Sequence, residues 1–353
     1  MSTFLERLEG LVSRIYSSPY PTPNLFKVPD AAYEPGGTLG HKIPKDDGYF
    51  SLRINELFLK DGRALWDTYD PMLVSLLDFL YDGKRMSVPF VISSELLKQK
   101  SNAAPHAVLF NDILVAGPHP FRGGNVAISL VLYKVKRDNF ARKAMKFVEG
   151  VSSAAGVPAD IAFWNKVGTA FIDGLETLID LDDTVPLFGS RLEIDTSSFS
   201  GLSTSSWLLT PTNDFARDNV LVENGRLSIR GERGTQRYNS QDYVLFSLLG
   251  CSQRADESSL PFYALRRQAL ESVLSGEEGW KRAKALLLTL YQQMITSPDL
   301  TTHEAEDLFE RYKGELLHTR DTLIKTTAMS VSEDQISDEV SRLNQATKLL
   351  DLH

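Results

Sequence analysis

Residues 107–155 read AVLFNDILVA, GPHPFRGGN, VAISLVLYKVK, R and DNFARKAMKFVEGVSSAA in chain order. Two apolar runs are joined by a loop rich in glycine and proline, and a helical pattern follows directly. In residues 126–136 both alternating sets of side chains are mostly apolar, which predicts a strand that is covered on both faces. This stretch therefore indicates a buried β-sheet, and the loop length leaves either a broad arch or a hairpin between its strands.

The loop at residues 117–125 holds two prolines and a Gly-Gly pair. Because proline has no backbone N–H to donate, this composition excludes a regular strand in the loop. Glycine backbone N–H groups together with a guanidinium are able to cradle a carboxylate or a phosphate. The candidate ligand-binding residues are therefore His119, Arg122, Gly123 and Gly124.

The same loop also has a purely structural interpretation, which we favour because no second catalytic group can be placed beside it. Prolines and glycines stiffen and sharpen the chain between two apolar strands. In this interpretation Phe121 is buried in the core, and Arg122 pairs with a carboxylate or carbonyl of the same chain.

The bulk composition describes an ordinary globular protein. The chain has 353 residues, of which 42% are hydrophobic and 24% charged, so its length indicates two domains. A net charge of −8 argues against broad affinity for nucleic acids or anionic membranes. The single cysteine, Cys251, excludes an intrachain disulfide framework and a cysteine-rich zinc site, and it favours the cytoplasm. Neither a transmembrane run nor a secretory signal is recognisable.

The N-terminal region begins with an amphipathic helical pattern in residues 1–18. This helix either packs on its own domain or lies on a membrane surface or partner. Glu6 and Glu9 weaken the cationic face that an anionic membrane requires, so packing is favoured. Residues 19–47 are rich in proline and glycine, which predicts a linker or long loop.

A β-rich domain is predicted for residues 48–255. Residues 49–59 alternate between apolar and polar side chains and indicate a half-buried strand. A second strand contains Pro89, which predicts either that this strand lies at a sheet edge or that the proline lies at its start. Asn224-Gly225 separates two short β patterns and predicts a two-residue hairpin. A pair of helices is predicted as an insertion at residues 138–181.

Residues 256–353 are predicted to be helical. Thr301 and Glu304 have the spacing of a capping box at the start of a long helix. A short heptad pattern closes the chain and offers a docking or dimerising face, although packing on its own bundle is favoured. The residues of this candidate docking face are Ile336, Val340, Leu343 and Leu350.

Recognisable catalytic chemistry is scarce. The sequence contains no phosphate-binding Walker motif, no HExxH and no GxSxG. No two of its six histidines have the i, i+4 spacing of a helical metal pair. We therefore predict no catalytic residue, no metal and no cofactor, and we expect Cys251 to be a semi-buried thiol at a strand end.

The sequence as a whole predicts an α+β fold: a mostly antiparallel, β-sandwich-like domain with an inserted helical pair, followed by a C-terminal helical bundle. The leading functional hypothesis is a non-enzymatic, cytoplasmic interaction or scaffold component of a multi-protein, bacterial-type system. Its expected partner is another protein, with neither nucleic acid nor membrane, and a homo-oligomer through the C-terminal helix remains open. The alternatives are a hydrolase with a site assembled from dispersed residues and a peripheral membrane binder.

Overall fold

The computed structural model describes residues 23–34, 39–60, 69–93, 108–136, 184–196, 201–211, 215–232 and 234–330. The chain divides into two compact units, Met1–Arg254 and Ala255–His353. The helices expected at 1–18 and 138–181, and the heptad pattern near the C-terminus, lie outside the described residues.

The described part of the first unit consists mostly of antiparallel sheets. Its strands are β1 (Asn24–Val28), β2 (Tyr33–Glu34), β3 (Lys42–Ile43), β4 (Tyr49–Leu59), β5 (Tyr69–Tyr81), β6 (Lys84–Ser93), β7 (Val108–Pro120), β8 (Val126–Lys136), β9 (Thr184–Ile194), β10 (Leu202–Ser203), β11 (Ser205–Thr210), β12 (Val220–Glu223), β13 (Arg226–Gly231), β14 (Gly234–Arg237) and β15 (Tyr243–Cys251). They form a five-stranded sheet in the order β1-β11-β15-β4-β7, two four-stranded sheets, β6-β5-β8-β9 and β14-β13-β12-β2, and the pair β10-β3.

Strand β4 is buried on both faces in its second half, where the prediction of a half-buried strand was wrong, whereas Ser51 and Arg53 in its first half are partly exposed. On one face Leu52 and Ile54 share a core cluster with residues of β5 and β8. On the other face Phe58 belongs to a cluster with residues of β12 and β13. The polar residue Asn55, which suggested a solvent face, is buried because its amide donates to Tyr33 Oη and its carbonyl accepts from Ser247.

Strand β8 confirms the prediction made from its two apolar faces. Ile128 lies in the core shared with the five-stranded sheet. Val131, on the opposite face, is 3% exposed. Strand β6, which contains Pro89, lies at the end of its sheet order in the described residues, as the proline predicts.

The connection between β7 and β8 is an arch, because the two strands belong to different sheets. The expectation that the prolines exclude a strand was wrong at its start, since β7 continues to Pro120, which pairs with Tyr49. Strand β7 is the last of its sheet order in the described residues, so its residues pair with only one neighbouring strand and a proline without an N–H is tolerated there. A register shift between Phe50 and Leu52 accommodates the irregular backbone.

The stretch expected to be a linker, residues 19–47, contributes β1, β2 and β3. Strand β1 pairs with β11 over its whole length. Phe26 and Val28 are buried on one face of it. The alternation in NLFKV is short, and the surrounding proline and glycine conceal it in the sequence.

The Asn224-Gly225 hairpin is confirmed. Glu223 pairs with Arg226, so two residues close the turn between β12 and β13. Both turn residues have positive φ, 52° and 72°, which is the backbone of the type I′ hairpin turn.

The described part of the second unit contains three α-helices, α1 (Tyr263–Val273), α2 (Gly276–Ile295) and α3 (Thr302–Ser330). Their buried side chains include Ala269 of α1, Leu290 of α2 and Tyr312 of α3. The predicted cap of α3 is confirmed, because Glu304 N–H donates to Thr301 Oγ1 at 3.2 Å.

Candidate functional site

The arch loop after β7 is fastened to the segment before β4. Phe121 N–H donates to the Gly48 carbonyl at 2.9 Å, and Asp46 N–H donates to the Phe121 carbonyl at 2.8 Å. The Phe121 ring is buried and meets Phe50 edge-on. Arg122 Nη1 lies 3.1 Å from Asp46 Oδ1. A buried phenylalanine and a paired arginine are the two features that the structural interpretation of this loop requires.

The four residues predicted to bind a ligand lie along this loop in different settings. The His119 ring packs against the ring of Phe79, with 4.6 Å between the ring centroids. Gly123 and Gly124 have φ of 83° and 76°, which glycine adopts without strain. A Cβ on Gly123 would lie 3.1 Å from Lys45 Cδ. Ligand binding by these residues remains a prediction.

Asp46 limits what the arch loop is able to bind. Its carboxylate lies 3.1 Å from Arg122 and 4.0 Å from the exposed Lys45. An anion bound between the two cations would therefore compete with Asp46. The arrangement fits a structural ion pair better than an open anion site.

A second polar cluster is centred on Glu56, which sequence reasoning missed. Glu56 lies on β4 and is fully buried. Its carboxylate accepts hydrogen bonds from Leu227 N–H at 2.7 Å, from Tyr243 Oη at 2.8 Å and from the Arg237 guanidinium. The signal that was available is a carboxylate within the otherwise apolar sequence ELFL. These bonds tie the five-stranded sheet to β13 and β14.

Burial raises the pKa of Glu56, because loss of solvation outweighs the hydrogen bonds from Leu227 and Tyr243 and the charge of Arg237. Burial, followed by the Glu56 charge, also raises the pKa of Tyr243. Perturbed groups of this kind mark catalytic sites when they line a cleft. Here the carboxylate is inaccessible and has three donors, so the cluster is structural.

A third cluster surrounds Asp78 on β5. The Ser87 hydroxyl donates to Asp78 Oδ1, while Arg85 and Arg191 lie 3.4 and 3.2 Å from Oδ2. Burial lowers the pKa of Arg191, but the hydrogen bond that its Nε donates to Glu193 and the charge of Asp78 more than reverse this effect and raise the pKa. Two cations therefore face two carboxylates, and the charges within the cluster cancel.

Metal-binding groups of three or more histidine, cysteine, aspartate or glutamate side chains are absent from the described residues. Cys251 ends β15 and is exposed rather than semi-buried. His303 lies 3.8 Å from Asp307 on the first turns of α3.

Helices α2 and α3 run antiparallel and meet through side chains at two levels. Arg320 of α3 lies over the ring of Trp280, with 4.4 Å between the guanidinium carbon and the ring centroid. Further along α2, Tyr291 contacts Phe309, which comes earlier in α3, and the ring centroids are 4.5 Å apart. These contacts define the line along which the two helices touch.

Apolar side chains are exposed on both sides of this line. Leu288 and Ile295 of α2 are 59% and 48% exposed, and Leu317 and Ile324 of α3 are 44% and 52% exposed. Each pair is spaced i, i+7, and Leu288 is three residues from Tyr291, so the exposed side chains lie beside the contact line. We call this surface the α2–α3 strip; it consists of Trp280, Leu288, Tyr291, Ile295, Phe309, Leu317, Arg320 and Ile324.

The sequence does not reveal the strip, because apolar residues with helical spacing are assigned to the core by default. Leu290 and Met294 of α2 and Tyr312 and Leu316 of α3 do form the core side of the two helices and are buried. The available signal was a second set of apolar residues with seven-residue spacing, outside the core stripe of each helix. The predicted docking residues Ile336, Val340, Leu343 and Leu350 lie outside the described residues.

No protein-family model matches the sequence, and the curated proteins and the solved structures contain no match to it. None of the helices in the described residues combines the length and the apolar composition needed to cross a bilayer.

Proposed function

We propose that the chain is a non-enzymatic interaction or scaffold component of a multi-protein, bacterial-type system in the cytoplasm. In this proposal the α2–α3 strip is the surface that binds another protein. The observation that carries it is the exposure of Leu288, Ile295, Leu317 and Ile324 on one side of two packed helices. Contiguous apolar surface of this kind is typical of protein interaction sites.

The strip has the features of a binding epitope on a rigid support. Aromatic residues and arginine dominate interface energetics, and the strip contains Trp280, Tyr291 and Arg320 beside its aliphatic residues. Leu290 and Tyr312, which anchor the same helices in the core, are fully buried. A partner would therefore meet a surface whose backbone is already ordered, which lowers the entropic cost of binding.

The fold proposal that accompanies this function is a β-sandwich-like first unit and a helical bundle in the second. Support for the former comes from a core cluster that includes Leu52 and Phe246 of the five-stranded sheet and Leu130 of β8. Support for the latter comes from the clusters shared by α1, α2 and α3.

The hydrolase alternative has less support. It requires titratable groups that a substrate is able to reach. The carboxyl of Glu56, whose pKa burial raises, is fully buried and has three donors. Asp78 is 4% exposed and paired with two arginines.

A pull-down from the native host tests the proposal. The tagged full chain is compared with the double variant Leu288→Glu, Leu317→Glu and with Leu274→Glu, a control that charges an exposed leucine outside the strip. Mass spectrometry should identify a protein that the wild type and the control retain and the double variant loses. Equal recovery with the double variant, or recovery of no protein, would contradict the proposal.

A further inference from the structure

We infer that the α2–α3 strip binds a second copy of itself, in a two-fold symmetric dimer of the chain. This inference rests on the proposed function, because it names the partner of the same surface. A two-fold interface uses one patch twice, so the patch has to be complementary to itself after a half-turn. The distribution of apolar and charged residues along the strip meets this requirement.

The apolar residues are placed symmetrically along the strip. Leu288 lies between Trp280 and Ile295 on α2, and Leu317 lies between Phe309 and Ile324 on α3. The two leucines therefore occupy the middle, and each end has a half-buried aromatic ring with an exposed isoleucine. A half-turn about the centre brings the leucines of the two copies together and places each end of one copy against the opposite end of the other.

The two ends of the strip carry opposite net charge. The end near Trp280 has one net positive charge, from Lys281, Lys284, Arg320, Glu277 and Asp321. The end near Ile295 has one net negative charge, from Glu306, Glu310 and Lys313. The half-turn that aligns the leucines thus also pairs the positive end of one copy with the negative end of the other.

The dimensions of the strip fit a reversible dimer. Helix α2 has 20 residues, which corresponds to about 30 Å of helix. Two packed helices present a face roughly 20 Å wide, so the strip offers on the order of 600 Å² per copy. Stable interfaces bury about 800 Å² per partner. We therefore expect a reversible dimer with a dissociation constant in the micromolar range.

Sedimentation velocity of the full chain is the first measurement. The wild type should sediment as a concentration-dependent monomer–dimer mixture up to about 100 µM, the range in which an interface of this size associates. The variant Leu288→Glu, Leu317→Glu should remain monomeric with an unchanged circular dichroism spectrum, because both leucines are exposed. Leu274→Glu, outside the strip, should dimerise like the wild type.

Charge reversal tests the two-fold arrangement. One variant carries Glu306→Lys and Glu310→Lys, so both ends of its strip are positive. The other carries Lys281→Glu and Lys284→Glu, so both ends are negative. Each variant alone should dimerise at least tenfold more weakly than the wild type, and an equimolar mixture should recover the dimer. The charged residues are all exposed, so folding should be unaffected.

Two results would overturn the inference: a wild type that stays monomeric throughout the concentration range, or a dimer that survives in the leucine double variant. Failure of the charge-reversed mixture to recover would exclude the two-fold arrangement. These outcomes are distinguishable from failure of the proposed function. A monomeric wild type whose strip variant still loses a protein in the pull-down would show that the strip binds a different partner.

Discussion

Arg320 of α3 stacks on Trp280 of α2, with its guanidinium carbon 4.4 Å from the ring centroid. Glu277 lies 3.7 Å from the same guanidinium, and Lys284 lies 5.9 Å from the same ring. A cation over an aromatic ring at an exposed site contributes about 0.5–1 kcal/mol. The contact therefore helps to fix the register of α2 against α3, and with it the positions of the exposed leucines on either side.

The β8 strand provides a test of the first unit's core. Val131 is 3% exposed on the face opposite the core shared with the five-stranded sheet. Val131→Asp would bury a carboxylate without a partner, which costs several kcal/mol against a total stability of roughly 5–15 kcal/mol. We expect this variant to be insoluble. Leu114→Asp, at a position 44% exposed on β7, is the control and should remain soluble. A soluble Val131→Asp protein with a cooperative, wild-type melt would refute the assignment of Val131 to a buried face of β8.

The buried carboxyl of Glu56 should make stability depend on pH. Because burial raises its pKa in the folded protein, the folded state retains a proton that the unfolded state loses above about pH 4.3. The contribution of Glu56 to the unfolding free energy is therefore present at low pH and lost as the pH rises through the raised pKa. Glu56→Gln should remove this decrease, and urea unfolding at a series of pH values measures it.

The same experiment separates burial from ion pairing at Glu56. Gln lacks the charge that Arg237 pairs with and leaves donors unsatisfied, so its overall stability should fall by about 1–3 kcal/mol. The test is therefore the slope of the unfolding free energy against pH, and not the overall stability. A contribution of Glu56 that grows with rising pH would mean that the Arg237 pair dominates and the pKa is lowered.

Arg122→Ala tests the structural role of the arch loop. Removing the partly exposed pair with Asp46 should lower the unfolding free energy by about 1 kcal/mol and the Tm by about 2–4 °C. Lys45→Ala is the matched control, because Lys45 is 67% exposed and 4.0 Å from the same carboxylate, and its Tm should not change. An unchanged Tm in Arg122→Ala would favour the ligand-binding interpretation of His119, Arg122, Gly123 and Gly124.

The sequence predicts local structure well where a single physical signal dominates. The two apolar faces of β8, the Asn224-Gly225 hairpin and the Thr301 cap are all confirmed. Prediction from the sequence fails where a polar residue is buried with a hydrogen-bonding partner. Asn55 suggested a solvent face on β4, but its hydrogen bonds to Tyr33 and Ser247 allow burial, and these partners are far away in sequence.

The candidate site was harder to predict, for a related reason. An apolar residue on a helix is assigned to the core unless the structure shows that the core stripe is already complete. Leu290 and Met294 complete the core stripe of α2, which leaves Leu288 and Ile295 on the surface. Periodicity alone does not distinguish the two pairs, since both have helical spacing.

The central claim is that the α2–α3 strip binds protein, and site-specific photo-crosslinking in the native host tests it most directly. A photoreactive amino acid replaces Leu288 or Leu317 in separate variants, and Leu274 in a control whose exposed side chain lies outside the strip. We expect discrete crosslinked adducts from positions 288 and 317 and none from 274, with an adduct of two copies of the chain if the strip dimerises. Absence of adducts at 288 and 317, or equal crosslinking at 274, would contradict the claim.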